Sequence, residues 1–82
     1  MSITMADDLK FTTVHGYKTY YNEEVRNGLN HLLVDLDLSE VKPLYDYARM
    51  NSAANFEDDH DRQYALIYDR SKGAYTIISR KS

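Results

Sequence analysis

The most regular hydrophobic pattern in the chain lies near its C-terminal end, in the segment Gln63–Arg80. Two runs of β-prone residues, Tyr64–Tyr68 and Ala74–Ser79, flank a short polar stretch that ends in a glycine. A glycine at the end of a short loop readily takes the left-handed conformation that a tight hairpin requires. The pattern therefore predicts a β-hairpin, and the rest of the chain is interpreted as what packs around it.

Both faces of this predicted hairpin are apolar. If the loop is Ser71, Lys72 and Gly73, then Arg70 faces Ala74. The alternation of side chains then places Tyr64, Leu66, Tyr68, Thr76 and Ile78 on one face, and Ala65, Ile67, Tyr75 and Ile77 on the other. A one-residue change of register would redistribute the side chains and leave both faces apolar. Two apolar faces indicate a hairpin that is covered on both sides, by its own chain or partly by a partner.

A second hairpin is predicted near the beginning of the chain. The β-prone runs Leu9–Val14 and Tyr17–Tyr21 are joined by His15 and Gly16, a link of hairpin length. The faces of this hairpin are Val14, Tyr17, Thr19 and Tyr21 on one side, and Leu9, Phe11 and Tyr20 with Lys18 on the other. Residues 1–8 are expected to be disordered.

A first helix is predicted after this hairpin. Asn22 is an N-cap residue type, and the next two residues are acidic, as suits the positive end of a helix dipole. Apolar residues then recur at helical spacing, namely Val25, Leu29, Leu32, Leu33 and Leu36. We predict helix to about residue 35. A short strand over residues 34–38 is the alternative, because that segment alternates with a period of two.

A second helix is predicted from Ser39 and Glu40, with Pro43 in its first turn or just before it. Its buried side is expected to comprise Val41, Leu44, Tyr45 and Ala48, with Ala53 as a further candidate. The helix should end within residues 51–55. Residues Phe56–Arg62, with the sequence FEDDHDR, are then predicted to be an exposed acidic connection into the main hairpin.

These elements predict a small α+β domain in the order ββααββ, which covers residues 1–82 as a single domain. The simplest packing is a four-stranded antiparallel sheet built from the two hairpins, with both helices on one face. The other face of the sheet then has no covering layer. We expect either Tyr64 and Tyr68, or Tyr75 and its neighbours, to stay accessible there and to anchor a partner protein.

Composition agrees with a folded domain, since 43% of the residues are apolar and 28% are charged. No run approaches the roughly 18 apolar residues of a membrane span, and the first residues lack the pattern of a secretory signal, so neither is expected. The absence of cysteine fits a reducing cytoplasm, which is the compartment that we predict.

The net charge of −3 is unevenly distributed. Residues 35–61 hold eight acidic and two basic residues, whereas residues 62–82 hold one acidic and five basic residues. Attraction between these neighbouring segments stabilises the chain, and the same asymmetry suits a charged partner. The segment 35–61 is a candidate mimic of nucleic acid that occupies a basic groove on another protein.

The sequence contains no catalytic motif, so we predict a protein that is not an enzyme and needs no cofactor. The acidic residues of the segment 57–61 are consecutive instead of alternating and no glycine follows them, so the calcium-loop pattern is absent and no metal site is expected. The three histidines, His15, His31 and His60, have no second ligand or base at a recognisable spacing.

The predicted function is therefore protein binding, by covering a surface of a larger partner, with homodimerisation as a further form of association. The predicted contact residues are Tyr64, Tyr68, Tyr75, Arg70, Lys72, Glu57, Asp58, Asp59 and Asp61. In size and general composition the chain resembles the compact inhibitors that phages carry against host defence systems, including anti-CRISPR proteins. The resemblance implies an inhibitor and identifies no residue of a site. The alternative is a single-stranded nucleic-acid-binding protein that uses the Tyr-, Arg- and Lys-rich sheet, although the acidic pI of about 5.5 opposes it.

Overall fold

The computed structural model describes residues 9–80, which form five strands and two helices. These elements are β1 (Lys10–Val14), β2 (Tyr17–Tyr21), α1 (Arg26–Asn30), α2 (Leu38–Asn51), β3 (Ala53–Glu57), β4 (Gln63–Asp69) and β5 (Ala74–Ser79). A 3₁₀ turn (Glu23–Val25) precedes α1, and a π-helical turn (His31–Asp35) follows it. The α+β class is confirmed. The predicted disorder of residues 1–8 lies outside the described residues.

The sheet has the strand order β1-β2-β5-β4-β3 and is mixed. Strands β2 and β5 are parallel, and the other neighbours are antiparallel. The prediction of four antiparallel strands is therefore wrong in two respects, because β3 adds a fifth strand and the two hairpins join through a parallel pair. After the helices, the chain forms β3 at the edge of the sheet opposite β1. Strands β4 and β5 then follow in order, each one closer to β2. This path places β5 beside β2.

The first hairpin and its two faces are confirmed. Phe11 pairs with Tyr20, and Val14 pairs with Tyr17. His15 and Gly16 both have positive φ, 50° and 94°, which is what a two-residue hairpin loop needs and what glycine adopts without strain. The imidazole Nε2 of His15 lies 3.1 Å from the carbonyl oxygen of Leu32 and 3.0 Å from that of Leu36. A ring N–H in this position donates to carbonyls that the end of the first helix leaves without helical partners.

The first helical segment widens along its length, from the 3₁₀ turn through α1 to the π-helical turn. The backbone N–H of Leu36 donates to the carbonyl of His31 at 3.1 Å, the five-residue spacing of a π-helix. The predicted helix end at about residue 35 is confirmed, and the strand alternative over residues 34–38 is wrong. Asn22 is the N-cap residue, but its side chain makes no capping hydrogen bond.

Gly28 lets this segment lie close to the sheet. A Cβ at this position would be 3.0 Å from three ring atoms of Tyr64 on β4, closer than such atoms ordinarily pack. Glycine weakens the helix by about 1 kcal/mol relative to alanine, but a larger residue at this position would prevent the close contact with the buried ring.

Helix α2 begins earlier than the sequence indicates. Its N-cap is Asp37, whose side chain accepts from the backbone N–H of Glu40 at 3.1 Å, while the Glu40 side chain accepts from the backbone N–H of Asp37 at 3.0 Å. This capping box starts the helix at Leu38 and places the exposed Pro43 in the second turn, not the first. Within the described residues, no helix is both long enough and apolar enough to span a bilayer.

The main hairpin has a register one residue away from the predicted one. Asp69 pairs with Ala74, so the loop comprises residues 70–73. The carboxylate of Asp69 accepts from the backbone N–H of Ser71 at 3.0 Å and from its hydroxyl at 2.7 Å, and the N–H of Gly73 donates to the Asp69 carbonyl at 2.9 Å. These bonds close the loop around Asp69. As a result, Tyr75 shares a face with Tyr64 and Tyr68.

The helices cover one face of the sheet, as predicted, and the core lies between them. Its buried residues include Val14 and Thr19 from the first hairpin, Tyr64, Leu66, Tyr75 and Ile77 from the main hairpin, and Leu29, Leu32, Val41, Tyr45 and Ala48 from the helical segments. The predicted helical stripes are buried at these positions. Ala53, a further candidate for the second helix, instead begins β3.

Candidate protein-binding face

The sheet face turned away from the helices carries a row of mainly apolar side chains that crosses all five strands. The strand registers align one row of side chains from edge to edge, in the order Phe11, Tyr20, Thr76, Ile67 and Ala53. Ile78 lies beside this row on β5, and Leu9 and Ile78 line the same shallow groove of about 350 Å³. We call Leu9, Phe11, Tyr20, Ala53, Ile67, Thr76 and Ile78 the open face.

The aromatic part of the open face is a pair of rings from the first hairpin. The ring centroids of Phe11 and Tyr20 are 5.3 Å apart, and Phe11 is 52% exposed. The ammonium group of Lys72 lies 5.2 Å from the centroid of the Tyr20 ring, within cation–π distance. The β4–β5 loop is thus held against this aromatic pair.

The aliphatic part of the open face is exposed to a similar degree. Leu9 is 46% exposed and Ile78 is 44% exposed, whereas Ile67 and Thr76 between them and the rings are half-buried. Apolar side chains that are contiguous over several strands differ from the scattered apolar groups of an ordinary surface. The open face is therefore the candidate contact surface of this protein.

The tyrosines expected to provide this surface lie on the opposite side of the sheet. Tyr64 is 3% exposed and Tyr75 is 5% exposed, and both face the helices. The expectation that one of these two groups stays accessible is wrong for both residues. The cause is the one-residue change of register, which gathers Tyr64, Tyr68 and Tyr75 on the covered face. Tyr68 is half-buried at the edge of that face.

The high tyrosine content is largely explained by packing in the core. Tyr45 of α2 stacks on Tyr17 with ring centroids 4.4 Å apart and meets Tyr75 edge-on at 4.6 Å. Tyr68 extends this group through a 5.0 Å contact with Tyr75. Aromatic pairs of this geometry add to the free energy of burial itself. These four tyrosines form the layer between α2 and the sheet.

The predicted basic contact residues Arg70 and Lys72 are both exposed in the β4–β5 loop. Lys72 is brought to the open face by its contact with Tyr20, and Lys18 on β2 lies on the same side of the sheet. The edge of the open face therefore carries positive charge. Of the predicted tyrosines and basic residues, only Lys72 contacts the open face in a described interaction.

The acidic connection between β3 and β4 is organised around one buried carboxylate. Asp58 is 5% exposed and accepts four hydrogen bonds, from the backbone N–H groups of His60 and Arg62, from the Arg62 guanidinium and from the Tyr64 hydroxyl. Burial by itself raises the pKa of Asp58. Hydrogen bonds from these donors outweigh burial, and the pKa lies well below its usual range. The expectation that Asp58 is an exposed contact residue is wrong.

The other predicted acidic residues, Glu57, Asp59 and Asp61, are exposed. Asp61 has φ of 63°, a conformation that Asp tolerates better than most residues. Their exposure leaves them available to a basic partner. They lie at the end of the β3 edge of the sheet, far from the aromatic pair at the β1 edge, and Glu57 shares a face of β3 with Ala53.

One grouping of metal-ligand types appears only in three dimensions. A ring nitrogen of His31 and carboxylate oxygens of Asp35 and Asp59 all lie within 4.8 Å of one another. His31 and Asp35 are four residues apart on one helical turn, so the expectation that His31 has no second ligand type at a recognisable spacing is wrong. Asp59 joins them from the β3–β4 connection, and no local pattern indicates that approach.

The sequence predicts one part of the open face, namely the residues from the first hairpin. The alternation of the first hairpin correctly places Leu9, Phe11 and Tyr20 together. These residues lie beside Ile67, Thr76 and Ile78 because β2 pairs with β5, and this pairing joins segments more than fifty residues apart in the chain. No family model, curated protein or solved structure matches this chain.

Proposed function

We propose that this protein is a non-enzymatic protein-binding module and that its open face packs against a larger protein. The observation that supports this proposal is the continuous apolar row across five strands, with exposed Phe11 at one end. Aromatic side chains offer a large contact area at low conformational cost, and interfaces are enriched in them. Phe11 and Tyr20 are the anchors in this proposal.

The size of the chain fits a mode of action by occlusion. A standard interface buries about 800 Å² on each partner, which is roughly 15% of the accessible surface of 5341 Å². One face of a small sheet can supply that area. A partner surface covered in this way is closed to its other ligands, which is how an inhibitor of the anti-defence kind, such as an anti-CRISPR protein, would act.

Charge at the edge of the open face would orient the partner. Lys18 and Lys72 flank the aromatic pair, whereas Glu57, Asp59 and Asp61 lie at the other end of the sheet. A partner with an apolar patch, an acidic rim near the lysines and a basic groove near the acids would match all three features. Exposed charges of this type mainly affect association rate and specificity.

Replacement of Phe11 by Ala is expected to weaken partner binding by about 2 kcal/mol, roughly 30-fold in Kd, because Phe11 is an exposed anchor. The same change should alter the free energy of unfolding by less than about 1 kcal/mol, since half of the side chain is already in water. The partner is first isolated by affinity capture with the wild-type chain. The Kd of the purified complex is then measured by titration calorimetry.

Tyr47→Ala provides the matched control, since Tyr47 is 59% exposed on α2, outside the open face. Equal loss of binding in both variants, or no loss in either, would contradict the proposal. Sedimentation of the wild-type chain alone tests self-association. A dimer that Phe11→Ala dissociates would assign the open face to a second copy of this chain.

Single-stranded nucleic acid is the second candidate ligand, favoured by one observation. Two lysines, Lys18 and Lys72, accompany a tilted pair of aromatic rings on an open sheet, and single strands bind to surfaces that combine cations with aromatic rings. The net charge of −3 opposes such binding. We therefore expect no micromolar binding to labelled single-stranded DNA or RNA by fluorescence anisotropy near physiological salt. Tight, strongly salt-dependent binding that Phe11→Ala abolishes would establish this candidate instead.

A further inference from the structure

Three side chains with metal-binding chemistry converge between the first helical segment and the β3–β4 connection. The Nδ1 atom of His31 donates a hydrogen bond to an oxygen of Asp35 at 2.9 Å and lies 4.0 Å from an oxygen of Asp59. A metal ion bound here would take the place of the proton on Nδ1, and the ring would keep its proton on Nε2. The donor set is one imidazole nitrogen and two carboxylate oxygens. It mixes ligand types and draws them from two separate elements, unlike a run of acidic residues on one loop.

Hydrogen bonds hold the backbone of both elements in place. His31 and Asp35 begin and end the π-helical turn, and the His15 ring binds the carbonyl of Leu32 within this turn and that of Leu36 just after it. Asp59 follows Asp58 directly, and the four hydrogen bonds that Asp58 accepts fix that connection. The backbone at all three residues is therefore positioned before an ion arrives, and only the side chains have to adjust on binding it.

The charges of the two carboxylates are not neutralised by a basic side chain. Within residues 9–80, no Lys or Arg lies within ion-pairing distance of Asp35 or Asp59, and their described ionic contacts are with histidines. Carboxylate oxygens of Asp35 and Asp59 lie within 4.8 Å of each other. A divalent cation between them would compensate both charges.

The distances suit a small ion with nitrogen and oxygen ligands. Tetrahedral Zn²⁺ has bonds of about 2.0–2.2 Å, which place its ligand atoms about 3.3–3.6 Å apart. The two distances from His31 fall on either side of that range. The side chains of Asp35 and Asp59 are 45% and 67% exposed, so each is free to adjust its rotamer and an ion can enter from solvent.

The neighbouring group of Asp58, Asp59 and His60 is a weaker candidate, although its ligand atoms are equally close. Each carboxylate oxygen of Asp58 already accepts two hydrogen bonds. Using Asp58 as a ligand would break the contacts that organise the connection. Asp59 is therefore assigned to the group that contains His31.

We infer that His31, Asp35 and Asp59 form a three-ligand site for Zn²⁺ or a similar first-row divalent ion, with water as the fourth ligand. The bound ion joins the π-helical turn to the β3–β4 connection and stabilises the folded chain. The site lies apart from the open face and shares only Asp59 with the acidic residues proposed to meet a basic partner. The metal measurements use the chain alone and therefore test this inference separately from partner binding.

The test uses the full chain after removal of metal with a chelator. Zn²⁺ is titrated by calorimetry, and Co²⁺ is titrated as a spectroscopic probe, because tetrahedral Co²⁺ has characteristic visible absorption. We expect one ion per chain and a higher melting temperature at saturating Zn²⁺. Asp35→Asn and Asp59→Asn should each weaken binding at least about 10-fold and reduce the thermal shift at the same Zn²⁺ concentration.

Asp61→Asn is the matched control, since it removes the same charge from the same connection and should leave Zn²⁺ affinity within about 2-fold. His31→Gln tests the nitrogen ligand, and circular dichroism of each variant without metal verifies the fold. The absence of stoichiometric Zn²⁺ binding to the wild-type chain would overturn the inference. Binding that survives Asp35→Asn and Asp59→Asn unchanged would overturn it as well, because the ion would then be adventitious.

Discussion

Replacement of Tyr45 by Ala is expected to cost about 3–5 kcal/mol of folding free energy. Tyr45 is fully buried, stacks on Tyr17 and meets Tyr75 edge-on, so its ring is the centre of the layer between α2 and the sheet. Truncation leaves a cavity that the neighbouring rings cannot fill without losing their own contacts. A domain of this size has about 5–15 kcal/mol of stability in all.

The hydroxyl group of Tyr45 contributes a smaller part of this energy. It is 3.0 Å from the Thr19 hydroxyl, which itself donates to the carbonyl of Tyr17 at 3.1 Å. Because the single Thr19 proton is used in that bond, Tyr45 is the donor to Thr19. Burial raises the pKa of Tyr45 far above its usual value, so this proton is retained. Tyr45→Phe should therefore cost only about 1 kcal/mol.

Thermal and urea unfolding monitored by circular dichroism measure both effects. Tyr45→Ala should lower the melting temperature by about 15–30 °C. Tyr47→Ala, on the exposed side of the same helix, should change the stability by less than about 0.5 kcal/mol. Similar losses for Tyr45→Ala and Tyr47→Ala would show that the tyrosine layer is not the core of this protein.

Replacement of Asp58 by Ala is expected to cost about 3 kcal/mol, even though the residue belongs to a loop. Its removal leaves the buried Tyr64 hydroxyl and two part-buried backbone N–H groups without their acceptor, and a buried unpaired donor costs about 1–3 kcal/mol. Arg62 contributes less to the loss, since its side chain is 47% exposed and water can replace the carboxylate.

Asp58→Asn removes the charge of the side chain and keeps its shape. The amide oxygen can still accept from the backbone, but its NH₂ group faces the Arg62 guanidinium, which has no acceptor. We expect a loss intermediate between zero and that of Asp58→Ala, about 1–2 kcal/mol. Asp61→Asn, exposed in the same connection, is the control and should have little effect. An Asp58→Ala variant as stable as the wild type would refute the structural role of this carboxylate.

The contribution of Asp58 should depend on pH in a defined direction. Its folded-state pKa is lowered, so its stabilisation is fully present above the unfolded-state pKa of about 3.9. The stabilisation is lost as pH falls through that value towards the lower folded-state pKa. The difference in unfolding free energy between wild type and Asp58→Asn should therefore shrink below about pH 4. Urea unfolding at neutral and acidic pH measures this difference.

The position and type of most elements could be predicted because their signals are local. The turn residues His15 and Gly16, the helical spacing of Val25, Leu29 and Leu32, and the two β-prone runs of the main hairpin each lie within a few residues of one another. The faces of the first hairpin also followed from alternation alone. By contrast, β3 was missed, since its buried Ala54 and half-buried Phe56 give a weak alternating pattern.

The candidate site was only partly predictable for the same reason. The sequence predicts an uncovered apolar sheet face and places Phe11 and Tyr20 together. It names Tyr64, Tyr68 and Tyr75 as the anchors, however, and these lie on the other face. A single hydrogen-bonding side chain, Asp69, closes the β4–β5 loop one residue earlier and moves Tyr75 to the covered face. In a strand with a period of two, that small difference decides which side chains reach solvent.

The sequence by itself determined an α+β domain with two hairpins around two helices, and an apolar surface larger than those helices can cover. Only the tertiary structure decided the parallel pairing of β2 with β5, the burial of Asp58 and the meeting of His31 with Asp59. Each of these links segments far apart in the chain. Local propensity acts over a few residues, whereas such pairings are selected by the packing free energy of the whole core.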